Sequence, residues 1–330
     1  MEIRRKFFST KDVSKGQPCK VGQNPARDEC IPASGKVSSS KTPTEKEGKT
    51  RPGFIGTQRK EDGSYVDSSG KNLPEEIQQR IRSLRLPPAW KDVQISENSD
   101  SDLQALGKDA KGRYQYVYSA AHSERQSAAK FNRVKQFVKS LPSLTSAVRR
   151  DLEKGGVEGD NAALILLMRK TGFRVGSEAD TKAAKEALGA STLTDKNVKI
   201  NGDEITFDFI GKKGVSIKQK IKDRELAAIL RPRLKRGGKL FQTTDNKVRQ
   251  YMKKATGEDF KPKDLRTVVA AETALNAMQS MDFPKNEKEF KKNRTIVGKQ
   301  VAEKLGNTPT VALASYIPPE VFSQWKSQLI

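Results

Sequence analysis

The sequence predicts an α+β chain: a small β-rich N-terminal domain, then a mainly α-helical domain that carries one small β-sheet. Three observations predict it. Between residues 52 and about 120, short runs alternate apolar and polar residues and end at turn formers. From Ser123 onward the apolar residues recur at three- and four-residue spacing, the period of a helix with one buried face. That pattern breaks once, over "VKINGDEITFDFIGKKGVSIKQKI", where strand-like alternation returns around a tight turn at Gly211 to Gly214.

Each element follows in order. Residues 1–51 are rich in Ser, Thr, Lys, Gly and Pro, and "PASGKVSSSKTPTEKEGKT" buries too little surface to offset its ordering entropy. A disordered basic tail is expected there. Residues 52–122 form the β-rich domain, with strands at "SYVD" and "WKDVQIS" and a Pro-started helix at "PEEIQQRIRSL". "LQALGKDAKGRYQYVYS" reads as a hairpin turning at Asp109 to Gly112, with Tyr114, Tyr116 and Tyr118 on one face. Residues 123–330 form the second domain, with helices at "SERQSAAKFNRVKQFVKSL", "DNAALILLMRKTG", "DRELAAIL", "NKVRQYMKKA", "KDLRTVVAAETALNAM" and "EKEFKKNRTIVGKQVAEKL".

Composition narrows the function. The 330 residues include 63 Lys and Arg against 40 Asp and Glu, a formal charge of +23. The basic residues are spread along the whole chain, and a potential of that sign concentrates polyanions, nucleic acid first among them. No apolar run approaches the roughly 20 residues that span a bilayer, so no membrane partner is expected. The start, "MEIRRKFFSTKD", lacks the apolar segment of a secretory signal. Cys19, Cys30 and the single His122 cannot make a zinc site of the usual ligand count. A reducing, intracellular, DNA-associated setting fits.

Tyr316 raises the chemical question. It is one of six tyrosines and lies between a Gly-Asn-Thr-Pro turn and Pro318-Pro319. Its ring could pack against Val311, Leu313 and Ile317, or its phenol could be a nucleophile. A phenol has an ordinary pKa of about 10 and needs a positive setting to lose its proton. Attack on a phosphodiester further needs guanidinium forks for the phosphate oxygens and an acid for the departing sugar oxygen. Three places offer such groups: Arg174 between Gly172 and Gly176, Lys212 and Lys213 at a hairpin tip, and Lys263 with Arg266 in the first turn of a helix. Singly, each reads as a solvated surface charge.

Together, in this order, they resemble the type IB DNA topoisomerases, particularly the short poxvirus- and bacterial-type forms. "LPPAWKDV", "KDAKGRYQYVY", "AKFNRVKQF", "TGFRVGSE", "FIGKKGVS", "KDLRT" and "LGNTPTVALASYI" carry the resemblance across about residues 52–330. It implies a β-rich clamp domain and a helical catalytic domain of the kind shared with tyrosine recombinases. It also implies that Tyr316 is the nucleophile, forming a 3′-phosphotyrosyl bond and releasing a 5′-hydroxyl. Arg174 and Arg266 would bind the scissile phosphate, and Lys212 would protonate the 5′-oxygen with help from Lys263. Asn307 stands where poxviral and cellular enzymes carry histidine and the bacterial branch carries asparagine. Arg113, Gln115, Tyr116 and Tyr118 would contact the major groove; cross-strand packing is the alternative for the tyrosines, and the one preferred for Tyr114. His122 matches no catalytic position and reads as a surface linker residue.

The implied partner is double-stranded DNA, held by a monomer acting as a clamp. No cofactor is expected, because a phosphotyrosine keeps the bond energy of the phosphodiester, and no G-x-x-x-x-G-K-[ST] loop is present. A tyrosine recombinase would share fold and mechanism, but that family usually has His-x-x-Arg where this chain has Lys263-Asp-Leu-Arg266. An architectural DNA-binding protein would explain the charge and leave the Arg-Lys-Arg-Asn-Tyr series unexplained.

Overall fold

The computed structural model describes residues 50–178 and 187–328. The expected basic tail, with Cys19 and Cys30, lies almost wholly outside these residues. The described chain parts into two compact units, divided between Ala128 and Ala129.

The first unit is built on a five-stranded antiparallel sheet in the order β2-β1-β3-β4-β5. Its strands are β1 (Phe54–Arg59), β2 (Tyr65–Asp67), β3 (Lys91–Ser96), β4 (Leu103–Lys108) and β5 (Tyr114–Tyr118). One helix, α1 (Glu75–Leu84), places Ile77, Ile81 and Leu84 with the core of Tyr65, Leu73, Val93, Ile95 and Ala105. Glu75 and Glu76 at its start and Arg82 near its end suit the helix dipole. At Gly107 any Cβ would lie 2.8 Å from the Trp90 ring, so only glycine lets that indole cover β4. Strand β1 was not expected from the sequence, yet it pairs with both β2 and β3.

Helix α2 (Ala120–Asp151) begins in the first unit and continues into the second. The second unit adds α3 (Gly156–Thr171), α4 (Arg224–Arg236), α5 (Asp245–Thr256), α6 (Pro262–Gln279), α7 (Glu287–Leu305), α8 (Pro309–Ser315) and α9 (Ser323–Lys326). Its sheet is antiparallel, in the order β6 (Val198–Asn201), β7 (Glu204–Gly211), β8 (Val215–Lys222). Along β7, Ile205, Phe207 and Phe209 face the core, and Phe173 meets both phenylalanine rings edge-on. Helix α3 is buried on nearly every side, as its unbroken "AALILLM" run requires. It packs among α4, α5 and α6; α6 packs on α7, and α7 on α8. Among the described residues no helix is long and apolar enough to cross a membrane.

Two helices outrun their sequence reading. Helix α2 passes Pro142 and α4 passes Pro232. An interior proline costs about 3 kcal/mol. Beyond Pro142 lie Leu144, Ala147 and Val148, all buried, and burying a side chain of valine or leucine size returns about 1.5–3 kcal/mol. Packing therefore carries the helix through.

Candidate active site

The site is assembled where α3 ends, α6 begins and α7 ends. Helix α3 stops at Gly172, whose φ of 75° is left-handed and whose missing Cβ leaves room for Leu305, 2.7 Å from where that atom would sit. The Gly172 carbonyl thereby turns toward the first turn of α6. Arg266 donates from one terminal nitrogen to Gly172 O, and from the other to Leu305 O at 3.0 Å. Its side chain is only 2% exposed, and its Nε has no partner among the described residues. Burial, then the charge of Arg174, lowers the guanidinium to about 10, with Tyr316 acting in the opposite sense. None of these neighbours is a carboxylate. A buried cation in such company is costly unless an anion completes it.

Tyr316 closes the other side. Thr308 caps α8 by accepting from Val311 N, and Tyr316 stands directly after the last residue of that helix. The ring is half-buried against the α6–α7 core, and the Arg266 guanidinium lies 5.1 Å from its centroid. Burial alone would push the phenol up. The charges of Arg266 and Arg174, and the approach of their donors, outweigh burial and hold it below the usual tyrosine value. The two readings of the sequence fall on different parts of one side chain: the ring packs, and the hydroxyl faces two cations. Val311, one of the expected packing partners, is instead 41% exposed.

Asn307 belongs to the same wall. Gly306 ends α7 in the left-handed conformation, and Asn307 N returns to Ala302 O at 3.0 Å. The Asn307 amide is enclosed, yet among the described residues neither its Nδ2 nor its Oδ1 has a hydrogen-bond partner. Ile217 of β8 fills the space beside Gly306, where a Cβ would fall 2.2 Å from its Cδ1. Two residues on, Gln219 Nε2 reaches Thr171 O and Lys304 O, each at 3.3 Å. The β7–β8 hairpin is therefore docked on the two helix ends that hold Arg266. Lys212 opens the short 3₁₀ turn at its tip and is exposed, as is Lys213, which takes a φ of 66°.

The structure brings Tyr316, Arg174 and Arg266 together and sets Asn307 beside the docked hairpin; Lys212 stays at the exposed tip. Lys263 is exposed, whereas Arg266 one turn later is buried. Sequence reasoning missed the supports. Arg133 forms a two-point bridge to Asp264 at 2.9 and 3.0 Å, and that nearly inaccessible carboxylate also accepts from Lys261 N. Lys130 donates to Ser315 O at 2.8 Å. Burial, then the Lys263 and Arg133 charges, holds its ammonium below the usual lysine range. The i, i+3 spacing of Lys130 and Arg133 was the available signal.

In the first unit, Asp109 gathers Arg113, at 2.6 and 2.9 Å, and Gln115, at 3.1 Å. The Arg113 hydrogen bonds hold the Asp109 carboxyl down at about 2. Tyr114 lies under the Lys108 ammonium, 5.3 Å from its ring centroid. Tyr116 is half-buried, and Tyr118 is 43% exposed. His122 is more than a linker residue: it stacks on Tyr118, centroids 4.6 Å apart, and its Nδ1 lies 3.0 Å from Asp102.

Residues 119–328 match the family described as eukaryotic DNA topoisomerase I, catalytic core. Residues 64–109 match the bacterial DNA topoisomerase IB N-terminal domain. The chain is 32% identical over 273 residues to DNA topoisomerase 1B of Acanthamoeba polyphaga mimivirus, covering 77% of this chain and 81% of that protein. It is 24% identical over 269 residues to DNA topoisomerase I of monkeypox virus, covering 75% and 82%. Two structures of the XerH site-specific recombinase bound to difH substrates align at 15% and 14% identity with TM-scores of 0.35 and 0.38. They cover 57% and 67% of this chain, and 52% and 58% of theirs.

Proposed function

The chain belongs to the type IB DNA topoisomerases, and from that premise we propose that Tyr316 is the nucleophile with which it relaxes supercoiled DNA. The observation that carries the assignment is the buried Arg266, with no carboxylate partner among the described residues, held over the Tyr316 ring beside Arg174. A phosphate diester entering there supplies the missing anion. The phenol gives its proton to solvent, its oxygen attacks phosphorus, the bond to the 5′-oxygen breaks, and a 3′-phosphotyrosyl link forms. Arg174 and Arg266 neutralise the non-bridging oxygens as charge builds on them. Lys212 gives the 5′-oxygen its proton, with Lys263 assisting, and the reverse steps reseal the strand after rotation.

The enclosed Asn307 amide has a donor to spare, and the phosphate is its partner in this reading. Asn307→Ala is expected to slow cleavage about 10- to 1000-fold, the range for one lost transition-state donor. Asn307→His keeps substantial activity if donation is the role. Single-turnover cleavage measures both, and a normal rate for Asn307→Ala would reduce the residue to a turn former.

Double-stranded DNA is the partner. The finer picture is a monomeric clamp, residues 52–122 forming the half that contributes Arg113, Gln115, Tyr116 and Tyr118 and residues 123–330 forming the catalytic half, with the 1–51 tail outside both. It is supported by the exposed Tyr118 ring and the solvent-facing Arg113. The direct test is relaxation of supercoiled plasmid in EDTA without ATP. Both positive and negative supercoils should relax, since the phosphotyrosine stores the bond energy and the side chains supply the acid and the charge. Activity should fall steeply with salt, because neutralised phosphates release counterions. Strict dependence on magnesium defeats this mechanism.

A further inference from the structure

Helix α8 ends in a sequence that cannot finish it. A helix leaves its last four carbonyls without intrahelical donors, and residues beyond the end normally supply N–H groups. Here Tyr316 N and Ile317 N both go to Ala312 O, each at 3.0 Å. The next two positions are Pro318 and Pro319, which have no N–H at all. The Ser315 carbonyl, immediately before the phenol-bearing residue, is taken instead by Lys130 Nζ, from 185 positions away. An ammonium there also suits the negative end of the helix.

The neighbouring bonds share one origin. Arg133, three residues after Lys130, grips Asp264 at the start of the helix that bears Arg266. Lys135 Nζ meets Glu320 Oε1 at 2.8 Å, just beyond the proline pair. Helix α2 thus holds the chain before Tyr316, the chain after it, and the helix carrying the opposing arginine. Lys135 and Glu320 are well exposed and contribute little. Lys130, half-buried and bonded to the residue adjoining the phenol, bears on its position most directly.

We propose that Lys130 is a positioning residue for the nucleophile, capping the helix that ends at Tyr316 and so holding the phenol at Arg174 and Arg266. The proposal rests on Tyr316 being the nucleophile. Lys130→Met keeps the stem and removes the donor. Displacing a reacting group by about 1 Å can cost 10²-fold, so single-turnover cleavage at saturating DNA should slow about 10- to 100-fold. Duplex affinity and its salt dependence, measured in a Tyr316→Phe background, should not change. Lys130→Arg, which can reach the same carbonyl, should recover the rate to within about threefold. If Lys130→Met does not fold, Lys130→Leu, which also lacks a donor, replaces it under the same criteria.

Each other result overturns the proposal. A normal Lys130→Met rate, or no recovery in a folded Lys130→Arg protein, removes the positioning role. Loss of affinity with a salt slope smaller by about one makes Lys130 a phosphate contact instead. Tyr316→Phe run alongside separates the two layers: an adduct in that protein defeats the nucleophile assignment, whereas its absence with a normal Lys130→Met rate defeats only the positioning role.

Discussion

Tyr316→Phe is expected to form no covalent adduct with DNA while binding duplex nearly as the parent does. The substitution removes one oxygen and keeps the ring. Its packing against the α6–α7 core and its place beside the Arg266 guanidinium are therefore retained. Affinity comes from a chain of formal charge +23, to which one phenol hydroxyl adds little. The adduct has no other source in this mechanism, so the loss should be complete within detection. A duplex labelled at the 5′ end of the scissile strand and trapped in detergent gives the readout. Should Tyr116 or Tyr118 be the nucleophile, the Tyr316→Phe protein would still carry the labelled strand, and the roles given to both domains would fall together.

What could be read from the sequence was mostly local. The β4–β5 hairpin announced itself through alternation around Asp109 to Gly112, and Asp109 does organise that turn, accepting from Lys111 N and Arg113 N. The order Arg174, Lys212, Lys263, Arg266, Asn307, Tyr316 could be listed, and the resemblance it supported led to the right family. Burial was not legible. Lys263 and Arg266 look alike in "KDLR", yet one is exposed and the other is 2% exposed, because only Arg266 faces the carbonyls of Gly172 and Leu305. Those acceptors lie 94 and 39 positions away, and no periodicity encodes such distances. Lys130 and Arg133 share one helix face by spacing, but their partners, 185 and 131 positions away, were hidden for the same reason. Strand β1 escaped because "FIGTQR" mixes a glycine and polar residues, and it owes its conformation to the strands on either side.

Lys212→Ala is expected to slow cleavage of ordinary DNA by about 10²–10⁴-fold, the usual contribution of a positioned general acid. Lys213→Ala should be mild. The difference comes from the hairpin tip. Lys212 follows Gly211 at the end of β7, while Lys213 adopts a left-handed φ of 66°, so the two adjacent residues differ in backbone setting. The base of the hairpin is fixed to the site through Ile217 against Gly306 and Gln219 across Thr171 and Lys304, so a docked support carries the tip. An alkoxide leaves poorly without a proton, whereas a thiolate leaves without one. A substrate with sulfur at the bridging 5′ position should therefore restore most of the Lys212→Ala rate. Arg174→Ala serves as the control, since its loss removes charge stabilisation that sulfur cannot replace. If the sulfur substrate leaves Lys212→Ala as slow as before, Lys212 is a phosphate clamp. The proton would then come from Lys263, in the first turn of the helix that carries Arg266.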